Sequence, residues 1–69
     1  MKAQELRELA KTDRNAVVHT FLTMLKDFGY PVTSDYVDST ISDVLAGKAG
    51  RGGPGMFIEG WLREGVEVE

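Results

Sequence analysis

Residues 15–29, NAVVHTFLTMLKDFG, constrain this chain more than any other stretch, because their apolar positions recur with the helical period and then stop at a glycine. Projected at 100° per residue, Val17, Val18, Phe21, Leu22, Met24, Leu25 and Phe28 fall within one arc of roughly 160°, the geometry of a helix with one face on a core. Asn15, His19, Thr20, Thr23, Lys26 and Asp27 take the remaining arc. Gly29 suits a left-handed residue after the last turn, and Pro31 forbids continuation. Upstream, Thr12 or Asp13 is positioned to cap the start. The segment before them carries Ala3, Leu6, Leu9 and Ala10 on one side and predicts a weaker helix, either separate or continuous with the second through Thr12 and Asp13.

The pattern repeats downstream. After GYPV, Thr33 or Ser34 is a cap, and Asp35 in the first turn suits the positive end of a helix dipole. Tyr36, Val37, Thr40, Ile41, Val44 and Leu45 share one face; Asp35, Asp38, Ser39, Ser42 and Asp43 share the other, and Gly47 ends the helix. A fourth helix is expected from Pro54, tolerated at a first helical position, to Gly65. Phe57, Ile58, Trp61 and Leu62 project together there, with Glu59 and Arg63 as an i, i+4 pair opposite. Gly60 inside that helix costs about 1 kcal/mol relative to alanine. The competing reading of this end is a hairpin of MFIEG and GVEVE, since VEVE alternates like a strand.

These elements predict a small all-α domain of three or four helices spanning residues 1–69, with a glycine-rich loop at 47–55 and a short acidic tail at 66–69. The alternative is a winged-helix-like fold with a C-terminal β-hairpin. The expected core is Val17, Phe21, Leu25, Phe28, Val37, Ile41, Val44 and Leu45. A chain of 69 residues buries only about 60% of its unfolded surface. Small domains usually add a disulfide, a metal or a partner subunit. With no cysteine, self-association or partner binding is the aid expected here. The start, MKAQELRELAK, is charged and periodic, and no apolar run reaches the roughly 18 residues of a membrane span, so a soluble cytoplasmic protein is expected.

The net charge of −3 is unevenly distributed. Residues 1–26 hold a balance of +2, residues 27–47 carry four aspartates and no base, Lys48 and Arg51 contribute +2, and residues 52–69 return −3. The two loop cations in GKAGRGGPG therefore sit between acidic blocks. A phosphate-gripping loop needs G-x-x-x-x-G-K-[ST] after a strand. Here Ala49 follows Lys48, and no hydroxyl occurs from residue 46 to 60. The loop reads as a flexible connector or as a contact loop using Lys48 and Arg51.

Catalytic constellations find little support in the residue inventory. His19 is the only imidazole, and it projects onto the polar arc. A zinc site of the usual nitrogen and sulfur ligands cannot be assembled from one histidine and no cysteine. Asp35, Asp38 and Asp43 do not follow the calcium-loop pattern. No enzyme activity, cofactor or metal is expected.

The stretch LKDFGYPVTSDYVDSTISDVL resembles the helix, glycine turn and helix of winged-helix regulators, including the ferric uptake and arginine repressor families. That resemblance implies a recognition helix from Ser34 to Ala46. Nucleic-acid binding draws most of its affinity from cations meeting phosphates, whereas this helix offers Asp35, Asp38 and Asp43, so a nucleic-acid partner is disfavoured. The leading expectation is a non-enzymatic protein-interaction or regulatory module that binds a protein partner or its own copy. Its candidate contact residues are Lys48, Arg51, Gly52, Gly53, Phe57 and Trp61. The alternative is a helix-turn-helix or winged-helix nucleic-acid-binding regulator using Lys48, Arg51 and the basic first 26 residues.

Overall fold

The computed structural model describes residues 2–48 and 52–66, and these form four helices: α1 (Ala3–Thr12), α2 (Arg14–Asp27), α3 (Ser34–Leu45) and α4 (Pro54–Glu64). No strand occurs among the described residues, so the domain is all-α. Met56 to Gly60, one arm of the alternative hairpin, lie within α4, and residues 67–69 of the other arm fall outside the described chain.

Local chemistry accounts for the boundaries of α2 and α3. Asp13, at φ −146° and ψ 73°, breaks the chain between α1 and α2, and its carboxylate accepts from the Ala16 amide at 3.3 Å. The continuous first helix is thereby replaced by two. Thr33 caps α3, its hydroxyl accepting from the Tyr36 amide at 3.1 Å, an interaction typically contributing about 1 kcal/mol.

Two helices end in the same way. After α2 the Gly29 amide donates to the Lys26 carbonyl and the Tyr30 amide to that of Leu25; after α3 the Gly47 amide donates to Val44 and that of Lys48 to Asp43. This paired closure requires a left-handed residue, and Gly29 and Gly47 supply φ values of 87° and 86°.

The helices pack in a ring, α1 on α2, α2 on α3, α3 on α4, and α4 back on α1. Leu6 and Ala10 of α1, Val17, Val18, Phe21 and Leu25 of α2, Val37 and Ile41 of α3, and Ile58 and Leu62 of α4 are buried as one core. Five expected core positions are confirmed: Val17, Phe21, Leu25, Val37 and Ile41. Val44 and Leu45 are half-buried and pack on its margin. Phe28 is a correction, since it is exposed. Its angle around α2 is that of the core, but it is the residue after the last helical turn and stands at the end of the bundle. Thr40, fully buried on the apolar face of α3, donates to the Tyr36 carbonyl at 2.8 Å, which removes the penalty of an unpaired hydroxyl.

Candidate functional site

Both ends of α2 are built by contacts among helices, and the two use different chemistry. At the start, Arg14 donates from Nε to the Ala10 carbonyl at 3.0 Å. Its Nη1 reaches Asp38 Oδ1 at 3.0 Å, the Asp38 carbonyl at 3.3 Å and Ser42 Oγ at 2.9 Å. One guanidinium thus joins α1, α2 and α3. Arg7 of α1 donates to the Leu62 carbonyl near the end of α4 at 2.7 Å.

The other end is aromatic. The glycine closure of α2 places Phe28 and Tyr30 on either side of Gly29, and Pro54 at the start of α4 brings Met56 and Phe57 into its first turns. The Phe28 and Phe57 ring centroids lie 5.5 Å apart, as do those of Tyr30 and Phe57. Trp61 lies beneath them, 6.0 Å from Phe57, 6.3 Å from Phe28 and 5.0 Å from the buried Phe21. All these pairs are tilted, in the range of ring separations that aromatic pairs favour.

Despite these contacts the outer members remain open to solvent: Met56 is 66% exposed, Phe28 57%, Phe57 39% and Tyr30 36%. An open cavity of about 350 Å³ is lined by Tyr30, Gly53, Met56 and Phe57, none of which carries a formal charge at neutral pH. Such a surface favours apolar or aromatic contact over ion recognition.

The predicted contact residues divide between this end and elsewhere. Phe57 and Gly53 line the cavity, and Trp61 is half-buried as the floor of the ring cluster. Gly52 is exposed next to Gly53. Lys48 is exposed, with its amide engaged in the α3 closure. Arg51 lies outside the described residues.

Phe28, Tyr30 and Met56 belong to the surface and were absent from the expected contacts. Two of them carried a signal in the sequence. Tyr30 stands between Gly29 and Pro31, where no helix face exists to bury it, and Met56 falls off the arc shared by Phe57, Ile58, Trp61 and Leu62.

His19 is exposed on α2. Among the described residues no three histidine or acidic side chains gather closely enough to hold a metal ion. Asp38 is engaged by Arg14, and none of the described helices is long and apolar enough to cross a membrane. Compared with family models, curated proteins and solved structures, the chain matches none.

Proposed function

We propose that this chain is a small non-enzymatic interaction module that binds protein, another chain or its own copy, through the aromatic end formed by Phe28, Tyr30, Met56 and Phe57. The observation that carries the reading is that these four side chains are contiguous and solvent-facing around an open cavity. Taking about 200 Å² for each large side chain, their exposed fractions amount to about 400 Å² of surface, a size at which an apolar patch is often functional. Aromatic residues dominate the energetic centres of protein interfaces, and here Trp61 supports them from below.

The nucleic-acid alternative draws less support. Residues 28–33 between α2 and α3 exceed the three- or four-residue turn of a helix-turn-helix, and Asp35 and Asp38 are exposed on α3. A basic, phosphate-facing helix is what that function needs.

The test compares the parent chain with a Phe28→Ser, Met56→Ser double variant in capture from native lysate of the source cells, including untagged copies of the chain. Proteins retained by the parent and lost by a variant of parental helicity are expected. Equal retention by both, or salt-sensitive binding of generic duplex DNA as the parent's main activity, would overturn the reading.

A further inference from the structure

We infer that the occupant of the aromatic end is a second copy of this chain, docked about a two-fold axis so that Phe28 of each copy enters the cavity of the other. The inference rests on the interaction reading above and specifies its partner.

Three observations carry it. The first is that projection and hollow lie side by side on one surface. The exposed Phe28 ring is 5.5 Å from Phe57, which lines the cavity with Tyr30, Gly53 and Met56. A two-fold interface requires one patch to carry both halves of the fit, and this patch does. A cavity of about 150 Å³ already accommodates benzene, so one of about 350 Å³ has room for a phenyl ring.

The second observation is area. A standard interface takes about 800 Å² from each partner, a little over half of it apolar. The roughly 400 Å² estimated for Phe28, Tyr30, Met56 and Phe57 meets that apolar requirement nearly in full. Surrounding polar surface completes the rim.

The third is Gly60. It lies in α4 one turn beyond Met56 and Phe57 and projects between them around the helix axis. Among the described residues a Cβ added there would meet nothing within 4 Å, so their packing does not call for glycine, although glycine weakens a helix. Its bare backbone permits close approach of another helix, which places α4 of one copy against the other.

Charge sets the salt dependence of such a dimer. The patch itself is uncharged while each copy carries a net −3. Apolar attraction between like-charged copies strengthens as salt screens their repulsion, the opposite of an interaction driven by phosphate neutralisation.

Sedimentation equilibrium of the full chain from micromolar to millimolar concentration tests the inference. The expected result is a monomer–dimer equilibrium that tightens as salt is raised, and that weakens by about tenfold or more in Met56→Glu and in Phe28→Glu. Met56 is the most exposed of the four, so its variant is expected to keep the parental helical spectrum. Gly60→Leu adds the sharper discriminant: the dilute monomer should melt no lower than the parent, while dimerisation weakens.

A chain that stays monomeric at millimolar concentration overturns the inference, as does a dimer indifferent to all three substitutions. The interaction reading fails separately. A monomeric parent that captures another protein, and loses it in the Phe28→Ser, Met56→Ser variant, refutes the second copy and keeps the module; a monomer with equal capture by both chains refutes both.

Discussion

The two ends of α2 are about 20 Å apart along one helix, and they join their neighbours by opposite means. At the Arg14 end a single side chain makes four directional hydrogen bonds to α1 and α3. At the Phe28 end, the backbone closure of α2 sets the positions of Phe28 and Tyr30, and the contact they make with α4 is through rings. Directional bonds have fixed partners: Nε and Nη1 of Arg14 are held by Ala10, Asp38 and Ser42, and any further partner must meet its own donor–acceptor geometry. Apolar contact carries no such requirement, because an uncovered ring keeps the same tendency to leave water wherever it sits. The first end is tied by bonds within one chain, and the second leaves apolar side chains facing solvent.

The most severe way to break this contrast is to remove what both ends share. Phe21 is fully buried at the middle of α2 and contacts Trp61, the floor of the aromatic cluster. Phe21→Ala is expected to lose about 3–5 kcal/mol, enough to unfold much of a domain this small at ambient temperature. Urea titration followed by far-ultraviolet circular dichroism measures it, and a loss under about 1 kcal/mol would mean the aromatic end is not supported by the common core.

An intermediate effect belongs to the strapped end. Arg14→Ala removes the join among α1, α2 and α3, but Asp38 is largely exposed and its ion pair with Arg14 is correspondingly weak. A destabilisation of about 1–2 kcal/mol is expected from the lost hydrogen bonds, with the denaturant slope unchanged. If dimerisation falls as sharply as in Met56→Glu, the two ends are not independent and the comparison fails.

The smallest effect is expected at His19, exposed on α2 and part of neither end. His19→Ala should alter stability by no more than about 0.5 kcal/mol and leave association unchanged. Loss of binding in this variant, with stability intact, would relocate the contact surface to the polar face of α2.

Much of the architecture was legible in the residue order because it depends on short-range chemistry. Asp13, Thr33, Gly29, Gly47 and Pro54 each act within a turn of where they stand, so their roles follow from neighbours in sequence. The apolar arc of α2 likewise identified Val17, Phe21 and Leu25 as core. Phe28 was misread for a definite reason. A helical wheel records angle and discards height, and burial at the end of a helix depends on whether another element extends that far. The joins made by Arg7 and Arg14 were invisible for a related reason, since Leu62 and Asp38 are far away in sequence and nothing local marks them as partners. Of the exposed aromatic end, Phe57 and Gly53 are among the expected contact residues, Tyr30 and Met56 carried a sequence signal that was passed over, and Phe28 emerges only when α2 and α4 are set side by side.

The matching closures of α2 and α3 carry a consequence for how such a surface can change. In both, the residue after the left-handed glycine is held by its own amide, Tyr30 to Leu25 and Lys48 to Asp43, so the backbone at that position is specified without reference to the side chain. One closure presents a phenol and the other an ammonium from the same backbone frame. Presentation and chemical character are thus separable at these two positions. A phenol can be exchanged for a cation, or the reverse, with the hydrogen bonds that hold the frame left in place, which lets the character of the contact drift while the four helices stay as they are.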